Sequence, residues 1–205
     1  MDLATLEAEV QHCSACGLAA TRTHTVFGKG SPTATVLFIG EGPGADEDKQ
    51  GQPFVGRAGQ LLDRIIQAAE LPWDDIYICN VVKCRPPSNR TPARDEIIAC
   101  TNFWQRQLAL IQPKIVVALG AVALQALVSP EARITRDRGV WVEREHYRIM
   151  PTFHPAALLR DESKKRPVWE DMKLVRDAYR ALKGIRAERE IWPPQNHEVD
   201  APLEK

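Results

Sequence analysis

The sequence has no surplus of charge: 27 Lys and Arg offset 27 Asp and Glu, a formal net charge of zero. A uniformly basic nucleic-acid coat is thereby excluded, and any contact with a polyanion has to come from a local patch. No apolar run reaches the roughly 18 residues that a membrane helix needs. The opening stretch, as far as Cys16, is polar and acidic. It has no basic-then-apolar leader, so a cytoplasmic protein without a secretory signal is expected. No phosphate-binding consensus occurs: the glycine-rich turn Gly40 to Gly44 fits neither G-x-x-x-x-G-K-[ST] nor G-x-G-x-x-G. The five cysteines are odd in number, which argues against a disulfide framework.

What is present fits one compact domain. With 44% hydrophobic residues among 205, the chain can bury a sizeable core. Strands are predicted over residues 35–39, 76–82 and 114–119, several of them apolar on both faces and therefore covered on both sides. Residues 140–142 and 147–150 form either a hairpin or an edge arm and a fourth core strand. Helices are predicted over 3–12, 59–69, 121–127 and 167–182, with another after Thr91, capped by Thr91 and with Pro92 in its first turn. The alternation implies an α/β fold: a three-layer αβα sandwich around a central, mostly parallel, four-stranded sheet. The domain spans residues 1–185. Residues 186–205, polar and with three prolines, read as a loose tail.

Ligands of such sheets bind beyond the carboxyl ends of the strands. Three predicted strands end on distinctive polar residues: Gly40-Glu41, Asn80 and His154. Asn80 offers both a donor and an acceptor, the pattern that reads a nucleobase edge, or it bonds its own turn. Phe54, an aromatic between turn formers, either stacks on a flat ligand or packs beneath its loop. Asp46, Glu47 and Asp48 read as a solvated acidic stretch. Lys83, Arg85, Arg90 and Arg94 form one basic loop, and Arg160 and Lys164 to Arg166 another. Both are solvated surface or a phosphate footprint. Cys13 and Cys16 form a C-x-x-C, followed by Cys84 and Cys100. Four thiolates can hold zinc or an iron–sulfur cluster, and spacing alone does not decide between them. Cys79 reads as a small packed side chain.

The combination is more specific than its parts. Gly40 to Leu62, Asn80 to Pro87 with Asn89 to Pro92, and His154 to Arg160 resemble the motifs of the family 4 uracil-DNA glycosylases. The resemblance runs from about Leu6 to Leu182. It implies that Cys13, Cys16, Cys84 and Cys100 bind a [4Fe–4S] cluster. It implies that Glu41 holds or activates water, that Gly40 and Gly42 line the pocket, and that Phe54 stacks on uracil. Asn80 would read the uracil edge, His154 would approach O2, and Glu47 would shape the pocket near C5. A related glycosylase links covalently to DNA through a histidine after the second motif. This chain has Ser88 to Thr91 there, so that behaviour is not expected.

The implied partner is uracil-containing DNA, met by a monomer. Leu158 or Leu159 is the candidate wedge that fills the gap left by a flipped base. Lys83, Arg85, Arg90 and Arg160 are the candidate phosphate contacts. Two alternatives stay open: a glycosylase for another deaminated base, and a non-catalytic DNA-binding or polymerase-associated module with a structural metal.

Overall fold

The computed structural model describes residues 2–185. The expected tail lies outside them. Six strands form one sheet: β1 (Lys29–Gly30), β2 (Val36–Gly40), β3 (Ile76–Asn80), β4 (Ile115–Leu119), β5 (Val142–Glu143) and β6 (Arg148–Thr152), in the order β1-β3-β2-β4-β6-β5. The four inner strands are parallel, as expected. The four-strand count falls short because antiparallel two-residue strands, β1 and β5, close the two edges. β5 is the edge arm expected over 140–142, whereas β1, two residues long, is too short to leave a period in the sequence.

The helices are α1 (Leu3–Gln11), α2 (Ala45–Gln50), α3 (Arg57–Ala68), α4 (Arg94–Ile111), α5 (Gly120–Leu127), α6 (Ile134–Asp137), α7 (Pro155–Arg160) and α8 (Lys165–Lys183). Successive strand residues point to opposite faces. Leu37, Ile39, Val116 and Ala118 join the core with α1, α4 and α5. Val36, Phe38, Ile115 and Val117 join the core with α3 and α8. The inner strands are therefore fully buried, which makes them read as unbroken apolar runs, and the three layers follow. Among the described residues no helix is long and apolar enough to cross a membrane.

Two local expectations change. Helix α4 starts at Arg94 rather than after Thr91, because the Glu96 carboxylate accepts from the Ala93 amide at 2.7 Å and caps the helix from inside its first turn. The acidic stretch 46–48 is solvated only in part, since Asp46 is exposed and Glu47 half-buried. Asp48 is buried and accepts from the amides of Thr23 (2.9 Å) and His24 (3.4 Å).

The connection from β2 to β3 runs through α3 on one face. That from β3 to β4 runs through α4 on the other, and β4 lies on the far side of β2. The strand order thus reverses beside β2, and the crevice between the diverging connections opens at its carboxyl end.

Candidate active site and cysteine pocket

A cleft of about 460 Å³ opens there, and Glu41, Phe54, Asn80 and His154 all line it. Each arrives by a different route. Glu41 follows the last residue of β2, Asn80 ends β3, and His154 follows β6 and caps α7. Phe54 is held in the loop before α3 at φ 54°, a left-handed conformation uncommon outside glycine.

Gly40 makes the convergence possible. A Cβ there would lie 2.5 Å from Asn80 Oδ1 and 2.7 Å from Phe54 Cζ. Gly59 does the same for the loop, since a Cβ there would fall 1.9 Å from the Phe54 carbonyl oxygen. Gly42 lines the cleft itself.

Asn80 is 2% exposed, and its Oδ1 is buried without a hydrogen-bond partner. Buried acceptors are nearly always paired, so an orphan in a cleft marks a place where a ligand donor fits. The His154 ring lies 5.7 Å from the Phe54 ring at an interplanar angle of 30°. Its Nδ1 accepts from the Ala156 amide at 3.1 Å. An amide can only donate, so in the neutral ring Nε2 carries the proton. Burial pulls the His154 pKa down to about 4, with Arg160 adding to the effect and Glu47 opposing it. Burial also pushes the Glu41 carboxyl above the usual glutamate range, against the pull of Arg160.

Glu47 lines the cleft while its carboxylate accepts from the amides of Gly44 (3.1 Å), Val55 (2.9 Å) and Gly56 (2.8 Å). It ties the glycine-rich turn to the loop that carries Phe54, a task the acidic composition of the stretch did not suggest.

The basic candidates separate. Arg160 is exposed at the cleft. Arg85 donates to Asn89 Oδ1 at 2.7 Å, and Arg90 forms a bidentate pair with Glu96 at 2.7 and 2.8 Å. Lys83 is a correction: it is 1% exposed, and Nζ donates to the Asn80 carbonyl at 2.8 Å and to Gln107 Oε1 at 2.5 Å. It faces the core and cannot reach a phosphate. Leu158 is a second correction. It is buried in the core under α7, and its neighbour Leu159 is the exposed one, at 40%.

The cysteine pocket lies on the side of the sheet covered by α1 and α4. Cys13, Cys16, Cys84 and Cys100 all line it, and Cys79 does not. No group of three or more His, Cys, Asp or Glu among the described residues is placed to hold a single metal ion. The four cysteines line one small pocket. Burial pushes the Cys84 thiol up and that of Cys100 to about 11. A bound cation reverses that tendency by deprotonating the thiols it ligates. Two donors already address the sulfurs: Arg22 Nη1 lies 3.2 Å from Cys84 Sγ, and the Lys83 amide 3.4 Å from Cys100 Sγ. Arg22 also donates to the carbonyls of Cys13 (2.7 Å) and Gln11 (3.3 Å). No local sequence pattern singled out Arg22.

The family model of the Uracil DNA glycosylase superfamily matches residues 27–173. A Type-4 uracil-DNA glycosylase of Thermotoga maritima is 46% identical over 170 residues, 80% of this chain and 88% of that protein. One of Sulfurisphaera tokodaii is 43% identical over 181 residues, 84% and 82% of the two chains. A third, of Archaeoglobus fulgidus, is 40% identical over 159 residues, 74% and 80%. On both the extent and the closeness of these matches, the chain belongs to the uracil-DNA glycosylase superfamily, within its type-4 branch.

Proposed function

We propose that the protein is a uracil-DNA glycosylase of base-excision repair, which flips uracil out of DNA and hydrolyses its N-glycosidic bond. The observation that carries this reading is the orphaned Oδ1 of Asn80 in the cleft that also holds Glu41, Phe54 and His154.

The target atom is inaccessible in a stacked duplex, so the nucleotide has to leave the stack, at a cost of a few kcal/mol that is smaller at a mispair. Phe54 offers a face for the base to stack on. Uracil N3–H donates to Asn80 Oδ1, and the Asn80 amide donates to O4. Cytosine presents the reverse pattern and would leave two buried polar groups unpaired, at about 1–3 kcal/mol each.

As the C1′–N1 bond breaks, positive charge grows on the sugar and negative charge on the base. The Glu41 carboxylate faces the positive side and orients the water whose oxygen bonds to C1′, and it accepts the proton that this water loses, which ends on the departing base. The departing base takes up the negative charge, and His154 Nε2–H donates to its O2. The neutral state of His154 suits this role, since it supplies a donor without a buried charge to desolvate. Preorganised donors of this kind are worth about 2.7–4 kcal/mol. Arg160, exposed at the cleft, and Arg85 would meet phosphates, and Leu159 would fill the vacated stack.

Cys13, Cys16, Cys84 and Cys100 would hold a [4Fe–4S] cluster. All four line one pocket, and thiolates are the ligands such clusters take. Held there, the four cysteines would join the segment after α1, α4 and the loop after β3 through the cluster, which would supply a structural link rather than chemistry on the base.

The test is incubation with a uracil-containing oligonucleotide, followed by alkaline cleavage and detection of free uracil. Release of uracil, but not of cytosine, is expected. DNA binding without any release of base would support a non-catalytic module and end the proposal.

A further inference from the structure

Lys83 is fully buried, and the hydrolysis makes no use of it. Lysine is almost never buried unless its donors are satisfied, because desolvating its head group is costly. Here they are satisfied in a particular way. The carbonyl of Asn80, at the end of β3, accepts from Lys83 Nζ at 2.8 Å. Nζ is fixed in turn by Gln107 Oε1 at 2.5 Å. Gln107 is itself oriented by donating to the Phe27 carbonyl (3.0 Å) and the Tyr77 hydroxyl (3.2 Å). The main chain of Lys83 is held as well. Its amide donates to Cys100 Sγ at 3.4 Å, and its carbonyl accepts from Val26 at 2.8 Å.

Between these anchors, the amides of Val81 and Val82 donate to the carbonyls of Gly40 (2.9 Å) and Glu41 (3.1 Å). Residues 80–84 therefore form a strap from the cleft to the cysteine pocket. The direction of the Asn80 side chain depends on the peptide that follows it, and Lys83 holds the carbonyl of that peptide.

We propose that Lys83 is a positioning residue for base recognition: through the Asn80 carbonyl it aims the Asn80 side chain, and through its own amide it ties that aim to Cys100 on α4. The proposal rests on the reading of Asn80 as the group that binds uracil. It requires only that Nζ donate hydrogen bonds.

The test is Lys83→Met, which preserves length and apolar stem but removes the donor. Steady-state kinetics on a uracil-containing oligonucleotide, inhibition by free uracil, the melting temperature and the visible spectrum are measured together. A loss of aim raises KM and the inhibition constant for free uracil in step, each by about tenfold, with kcat changed much less. A purely structural role would lower the melting temperature and the active fraction, and so kcat, at unchanged KM. A folded variant with wild-type KM and uracil inhibition overturns the proposal. Should Lys83→Met fail to fold, Gln107→Leu decides in its place: the same paired rise supports the proposal, and wild-type values overturn it. Wild-type protein that releases no uracil would instead refute the proposed function itself, so the two failures are distinguishable.

Discussion

The Nδ1 of His154 accepts a hydrogen bond from the backbone amide of Ala156, so the imidazole is committed to a single tautomer before any substrate arrives. The same contact caps α7 and fixes the ring beside the cleft.

A pH dependence follows with a definite sign. The His154 pKa is depressed from 6.5 to about 4, so between these values the unfolded chain binds a proton that the folded one refuses. Stability is expected to fall as pH drops from 6.5 toward 4. In His154→Gln, the melting temperature should depend less on pH across that window, and kcat should drop by about 10²–10³.

Glu41, in its proposed role, is expected to supply the acid limb of the rate profile. Its pKa is raised by burial, so the carboxylate that orients water forms only above the ordinary glutamate range. Wild-type kcat is expected to fall at a pH above that of a solvated glutamate. Glu41→Gln should be slow at every pH and lack that limb.

Removing the Asn80 side chain should uncouple stability from activity. Asn80→Ala deletes a buried acceptor that no group satisfies, and an unpaired acceptor costs about 1–3 kcal/mol. A melting temperature close to or above that of the wild type is expected, with kcat/KM for uracil lower by about 10² or more. A large loss of stability would show that the Asn80 amide is needed by the fold.

The core strands were legible because burial on both faces writes itself as uninterrupted apolar residues, as in Val36 to Ile39. The polar strand ends were legible because Glu41, Asn80 and His154 interrupt that pattern where a parallel sheet presents its ligands. What escaped was decided by partners distant in sequence. Lys83 looks like any basic loop residue until Gln107, on α4, is seen to accept from it. Leu158 and Leu159 are adjacent and chemically identical, and only packing beneath α7 separates them. Glu47 sits in an acidic run, and its role arises from three amides that need an acceptor.

The two leucines give opposite outcomes. Leu158→Ala should cost about 2–5 kcal/mol of stability by denaturant titration, as expected for a buried leucine. Leu159→Ala should leave stability within about 0.5 kcal/mol, since the side chain is exposed. It should slow uracil release from duplex DNA more than from single strands, which need no wedge.

The cysteines divide in the same manner. Cys100→Ala is expected to abolish broad visible absorption and lower the melting temperature, as is treatment of the wild type with a chelator and oxidant. Cys79→Ala, outside the pocket, should retain the colour.

The short outer strands have a consequence for how the molecule behaves at high concentration. A parallel sheet of four buried strands would otherwise end in rows of bare amides and carbonyls, on which a second copy could extend the ladder. With only Lys29–Gly30 and Val142–Glu143 at the rims, a neighbouring molecule finds two residues of template on either side, too little to start zipping sheet to sheet.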